Sequence, residues 1–497
     1  MKTNKYLSEN GYLFVFLLGA ALYFQQAWVP GFFADGYLYS AFAKHAANDG
    51  YWLVPRLSST TYSEFPVHIP FIFSLNGIFF KLFGASYTTA RLFSGLFTLI
   101  SLFFVIRSVR KYGSESWAYL SGLAFVLIPP LIKKTRFPSL DAPLMMFVLI
   151  SLLFYFEAFK KQNRKAWILC GVFFGFAMLS KGPMAGLVPL VILIHLAFTK
   201  SFSKLKDPFP WLGFILGLIM FSIWPISLLL TGNKVTIDWY IKSTFINTMI
   251  EGRGVEKFNS FDYVIFLFKQ TGPWLILILL SLKSYLKKKE NDFHGFSLIA
   301  FFSLLILLSI PKFKYSNYLL PLYPFYAISV GFYLASLLKE GWFEKVKKGT
   351  CYLFVTASLV LLIFPLTVKT RRDKEIHQAL KMSRGLKKQP EVWVTINDSY
   401  PFFALANLIA FENSGEVVNT TLDWMKAYLN DEKKLEFKSE IPYEWKGKEF
   451  IFVMRNADFE KIKSNYSEKL VSIIHFKARD LVILARKENV YPNGLTY

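Results

Sequence analysis

The stretch FFADGYLYSAFAKHAANDGYWLVPRLSSTTYSEFPVHIP, residues 32–70, separates the first long apolar run of the chain from the second. It is too polar and too long for a plain turn between two membrane helices, and loops of this size usually carry function. Leu38, Ala41, Phe42 and His45 recur at helical spacing, so 36–48 reads as a helix lying in the plane of a membrane interface. A second such segment, 70–83, is rich in Phe, Ile and Leu. Asp35, Asp49, Arg56 and Glu64 stand around and between the two. Interfacial helices bracketing acidic groups describe a reaction chamber at a membrane surface. Asp35 also has a plainer reading, as the N-cap of the helix that follows it.

Outward from this stretch the chain is strongly apolar. Of its 497 residues 54% are hydrophobic and 18% aromatic, and the mean hydropathy is +0.35, beyond the range of an ordinary soluble protein. Apolar runs of roughly 17–25 residues recur, the signature of membrane helices. Eleven are predicted, near 11–28, 88–106, 117–132, 142–159, 166–180, 183–198, 211–231, 264–282, 296–311, 315–338 and 350–368. The run 11–28 follows Lys2 and Lys5, no small-residue cleavage site comes after it, and it reads as a retained first helix. The fold class expected is a polytopic α-helical membrane protein with a large first outer loop.

The net charge of +23 raises nucleic acid as a partner, but the placement of the charge argues against it. The basic residues sit in short loops between apolar runs: RSVRKYG at 107–113, KKQNRK at 160–165, TKSFSKLK at 199–206, KSYLKKK at 283–289 and KEGWFEKVKK at 339–348. That pattern sets orientation in the membrane and faces anionic lipid headgroups. With a cytoplasmic N-terminus, all five loops are cytoplasmic. The exceptions are KKTR at 133–136, Lys181, Lys312 and Lys314, cations on the face that should lack them and therefore functional candidates. No phosphate loop of Walker type, zinc-ligand spacing or heptad array is present. Cys170 and Cys351 both lie inside apolar runs, so no disulfide framework is expected.

After residue 369 the composition changes. A basic linker, 369–390, leads to short β-branched runs at 391–397, 449–454, 469–476 and 480–486, with helical patterns between them. Residues 369–497 thus read as a small extramembrane α/β domain, and residues 1–368 as the membrane domain. An odd number of spans puts the small domain on the side opposite the N-terminus.

Four clusters then share the outer face: Asp35 with Glu64; KKTRFPSLDAP with Asp141; SKGP at 180–183; and PKFKYSNYLLPLYP at 311–324. Carboxylates that orient or deprotonate an acceptor, beside cations that hold a phosphate as it leaves, suit transfer chemistry on an anionic lipid substrate. Each group also has a structural reading. Glu64 can pair with Arg56, Asp141 can start a helix, and the Lys–aromatic alternation at 312–318 can be an interfacial belt. His68 lies near Glu64, and the residues leave open whether the two bind a divalent metal ion.

The order of motifs resembles the GT-C membrane glycosyltransferases, in particular the aminoarabinose lipid A transferases and the bacterial enzymes like protein O-mannosyltransferases. The residues that carry the resemblance are ADGYLYSAFAKHAANDGYWLVPRL, YSEFP, KLFGASYTTARLFSGL, RFPSLDAPLMMFVL, GFAMLSKGPMAGLVPL and KYSNYLLPLYP, spread over residues 10–340. The resemblance implies a polyprenyl-phosphate sugar donor and a lipid or other envelope acceptor on the outer face of a bacterial inner membrane. It implies catalytic acids at Asp35, Glu64 and Asp141. It implies substrate contacts at Lys181, Lys312, Lys314 and Tyr318, to which Arg56 and Arg136 add cations. The aminoarabinose transferases usually carry Glu-Lys-Pro where this chain has Glu64, Phe65 and Pro66, and a second acid where it has Gly36. A lipid-linked-sugar flippase is the rival reading. It is disfavoured because the charges gather at one face instead of mid-membrane and no inverted repeat is evident.

Overall fold

A computed structural model describes residues 11–58, 61–244, 261–289, 291–311, 314–339, 341–364, 380–396, 400–412, 416–420, 422–429, 449–466, 468–476 and 481–490. In chain order its helices begin with α1 (Gly11–Phe24), α2 (Ala34–Asp49), α3 (Phe71–Phe83), α4 (Tyr87–Tyr112), α5 (Glu115–Val126), α6 (Pro129–Lys134), α7 (Asp141–Lys161), α8 (Arg164–Lys181) and α9 (Leu187–Phe198). They continue with α10 (Pro208–Leu230), α11 (Lys234–Ile241), α12 (Asp262–Thr271), α13 (Leu275–Lys288), α14 (Asp292–Ser309), α15 (Tyr323–Ser336) and α16 (Trp342–Ile363). Polar caps start several of them: Ser86 accepts from the Thr89 amide, Ser114 from Trp117, and Asn291 from Phe293 at 2.8 Å. The chain forms two compact units, one of residues 1–28, 66–72 and 86–367, the other of residues 29–65, 73–85 and 368–497.

The first unit is helical. Among the described residues seven helical segments are long and apolar enough to cross a membrane, eight if α12 and α13 form one span, and α1 and α3 are shorter apolar helices. One of the seven, 164–198, folds back on itself. The Tyr155 ring on α7 lies 5.5 Å from Trp167 and 5.6 Å from His195, whereas a straight helix would hold those two about 42 Å apart. The reversal comes at Lys181–Gly182–Pro183, where Gly182 has φ +50° and a 3-10 turn, Gly182–Gly186, follows. A side chain at Gly182 would collide with the Tyr240 hydroxyl.

Helices α8 and α10 pack backbone to backbone through Gly171, Gly175, Gly213 and Gly217; a Cβ added at Gly217 would lie 2.7 Å from the Gly171 carbonyl oxygen. The other face of α10 presents Trp211, Ile215, Ile219, Ile223 and Ile226 outward, as a lipid-facing helix does. The predicted basic loops meet at one end of this unit. Lys111 pairs with Glu157 at 2.6 Å, Lys160 with Asp292, and Asn291 donates to the Tyr112 carbonyl at 2.9 Å.

The second unit holds β1 (Val392–Ile396), α17 (Tyr400–Glu412), β2 (Glu416–Thr420), α18 (Leu422–Leu429), β3 (Phe450–Arg455), α19 (Asn456–Tyr466), β4 (Leu470–Phe476) and β5 (Leu481–Arg486). The sheet order is β2-β1-β3-β5-β4; β2, β1 and β3 are mutually parallel, β5 is antiparallel to β3, and β4 is antiparallel to β5. Val394, Ile396, Val418, Phe452, Met454 and Leu484 form a core on one face. The first outer loop belongs to this unit as well. Lys44 on α2 donates to the Phe411 carbonyl at 2.8 Å, Ser58 donates to the Val417 carbonyl at 2.7 Å, and Phe32 and Phe80 both pack on Phe411.

Gly171→Val is expected to force α8 from α10, costing about 1–3 kcal/mol and lowering the unfolding midpoint by several degrees. Gly349→Ala, where an added Cβ meets open space, should leave the midpoint unchanged or slightly raised. Thermal unfolding in detergent, followed by fluorescence, checks both.

Candidate functional site

The end of the helical unit opposite the basic loops gathers some of the groups singled out in the sequence. Asp141 is the first residue of α7 and is buried. Lys181 is the last residue of α8, where the helix dipole favours a cation. The two form an ion pair with side chains 10% and 14% exposed. The Lys181 ammonium also lies 4.2 Å from the centre of the Tyr318 ring, a cation–π arrangement. Tyr318 sits on a 3-10 turn, Ser316–Leu322. The Asp141 reading as a helix start therefore holds together with its place in the cluster.

Lys134, at the end of α6, donates to Ser316 and, at 2.5 Å, to the Asn317 side-chain oxygen. Burial pushes its pKa down to about 8, against an opposing pull from the Asp141 carboxylate. Of the KKTR cations the sequence points to Arg136, whereas the structure brings Lys134 to this turn. Arg136 is fully buried and donates to the Gln25 carbonyl, while the neighbouring Arg91 donates to Ala27 at 2.7 Å. Both guanidiniums thus tie down the chain that leaves α1. Lys314 is also buried and donates to the Pro311 carbonyl at 2.7 Å. Lys312 lies outside the described residues.

In the second unit Asp35 is the second residue of α2 and is exposed; Phe33 takes the cap position without a side-chain hydrogen bond. Asp35 is therefore not the cap that its plainer reading made it, although its charge still suits the first turn. Glu64 is exposed on the rim of a groove of about 380 Å³ lined by Gly50, Tyr51, Trp52, Leu53, Val54 and Ser63. The ion pair of Arg56 is with Glu416 on β2, 3.5 Å away, instead of with Glu64. Among the described residues no three His, Cys, Asp or Glu side chains come together as a metal site.

Residues 67–225 match the model of the dolichyl-phosphate-mannose-protein mannosyltransferase family. The undecaprenyl phosphate-alpha-4-amino-4-deoxy-L-arabinose arabinosyl transferase 2 of Proteus mirabilis is 23% identical over 59% of this chain. The crystal structure of ArnT from Cupriavidus metallidurans bound to undecaprenyl phosphate superposes with a TM-score of 0.73 at 15% identity, covering 98% of this chain and all of that one. The chain has the GT-C fold and resembles the aminoarabinose transferases. An oligosaccharyltransferase from Archaeoglobus fulgidus shares the fold more distantly, at 11% identity with a TM-score of 0.52 over 92% of this chain and 70% of its own. The match spans only about half of the Proteus enzyme, 53%.

Lys134 is charged below its pKa and loses that charge as pH rises through about 8. An anion held by it is expected to bind more weakly as pH rises through about 8, and Lys134→Arg should remove that alkaline decline. Titration with sulfate, whose charge is constant between about pH 6 and 9.5, reads this directly.

Proposed function

We propose that this GT-C protein transfers a sugar from a polyprenyl-phosphate donor to a lipid or other cell-envelope acceptor on the outer face of a bacterial inner membrane, with inversion at the anomeric carbon. The observation that carries the reading is the cluster of Asp141, Lys181 and Tyr318 beside Lys134 at one end of the helical unit. It joins cations to aromatic surface, as recognition of a phosphate on an isoprenoid chain requires. Lys181 and Lys134 are assigned to the donor phosphate together with Lys312 and Lys314, and Arg136 is assigned to holding the chain that leaves α1.

Asp35 is assigned to the acceptor. For a hydroxyl acceptor, the oxygen bonds to the anomeric carbon, the proton passes to the carboxylate, and the carbon–oxygen bond to the phosphate breaks with its electron pair leaving on polyprenyl phosphate. For an acceptor that is already an anionic phosphate, Asp35 orients instead of deprotonating. Glu64 and Asp141 are assigned supporting roles in positioning. The phosphate is already a good leaving group, so alignment and stabilisation of the departing charge dominate. The match to the mannosyltransferase family favours a protein hydroxyl as the second acceptor class.

Asp35→Asn is expected to lower turnover about 10²–10⁴-fold while binding of undecaprenyl phosphate persists. NMR of donor and product should show inverted anomeric configuration, and retention or a trapped glycosyl adduct on a carboxylate would overturn the single-step mechanism. Comparing envelope glycolipids and glycoproteins by mass spectrometry, with and without the gene, identifies the acceptor. The N-terminus is proposed to be cytoplasmic and the sheet-bearing domain to lie outside. Reporter fusions at Lys161 and at the C-terminus should accordingly report opposite sides.

A further inference from the structure

The second unit contains a groove to which the reaction above gives no role beyond its rim residue Glu64. Its volume of about 380 Å³ falls in the range of small-ligand sites. It is lined by two aromatic residues, Tyr51 and Trp52, by Leu53 and Val54, and by the polar residues Ser63 and Glu64. Tyr51 is 37% exposed and Leu53 39%, so apolar surface faces outward beside a carboxylate.

Both aromatic residues are anchored, each to a different element. The Arg56 guanidinium lies 4.7 Å from the centre of the Tyr51 ring and donates to its hydroxyl. Arg56 is itself held by Glu416 at the start of β2. Trp52 is fixed to α3: its carbonyl accepts from the Ser74 hydroxyl at 3.0 Å, and a Cβ at Gly77 would lie 3.3 Å from its ring. Walls fixed before a ligand arrives lower the ordering cost of binding.

We propose that this groove is a docking subsite for one pyranose ring of the acceptor, a reading that rests on the glycosyltransferase function above. A pyranose presents a face of polarised C–H groups, which seats on the negative face of an aromatic ring. Its rim of hydroxyls suits a carboxylate and a serine hydroxyl. Among the described residues the lining of the groove includes no lysine or arginine to hold a phosphate, which assigns it to the acceptor sugar instead of the phosphate-bearing donor. Glu416 and Arg56 act as positioning residues that hold the Tyr51 wall.

The test uses the full chain in detergent, with methyl α-glucopyranoside, methyl α-glucosaminide and methyl α-mannopyranoside as probes. Saturation-transfer NMR measures glycoside binding, and binding of undecaprenyl phosphate is measured on the same samples. At least one glycoside is expected to bind through its ring C–H protons. Tyr51→Ala and Trp52→Ala should each weaken that binding at least tenfold with undecaprenyl phosphate affinity unchanged, and Trp52→Phe should retain it. Glu416→Gln should weaken glycoside binding less than Tyr51→Ala. If Trp52→Ala does not fold, Tyr51→Ala decides. Binding of no glycoside, or binding that survives Tyr51→Ala, overturns the subsite. Failure of the unaltered protein to bind undecaprenyl phosphate overturns the glycosyltransferase reading instead.

Discussion

The ion pair between Asp141 and Lys181 is the interaction on which the helical unit turns. A lysine at the end of a membrane helix is costly without an anionic partner. Here the partner is the first residue of the preceding helix, 40 positions earlier. The pair joins the start of α7 to the reversal after α8, where Gly182 adopts a positive φ of 50° against the Tyr240 hydroxyl. Removing one member of a buried pair leaves an uncompensated charge, typically at a cost of about 3–5 kcal/mol. A polar cluster of this kind is both a structural joint and a ready anion site, because a phosphate can take over part of the lysine's partnership.

The same economy runs through the other cations of that end. Arg91 and Arg136 spend donors on carbonyls at residues 25–27, where the chain leaves α1 and its backbone acceptors have no helical partners. Lys134 instead reaches the side chains of Ser316 and Asn317. Neighbours in sequence thus divide between holding backbone and facing the cluster, and their burial separates the two groups by chemistry.

In the second unit the governing constraint is the sheet. Strands β1, β3 and β5 are buried on both faces, and Phe411, at the end of α17, is the point on which Phe32, Tyr37 and Phe80 converge. The outer loop is therefore built into a unit whose other part lies more than 300 residues away in the chain. That linkage gives the positions of Arg56 and Tyr51 a rigidity that an isolated loop lacks.

Sequence alone determined the membrane class, the basic loops, a helix over 36–48 and a strand near 391–397. Each follows from local composition and periodicity, which act over a few turns of chain. It also determined that Asp141, Lys181 and Tyr318 were worth attention, since charges beside apolar runs are expensive. Pairing was decided only by the tertiary structure. Arg56 had Glu64 nearby in sequence and took Glu416; Asp35 stood where a cap is common and left that position to Phe33; Lys134, and not Arg136, met the Ser316–Asn317 turn. The physical reason is that ion pairs and hydrogen bonds depend on side-chain distance and burial, and both are set by how helices and strands pack across hundreds of residues.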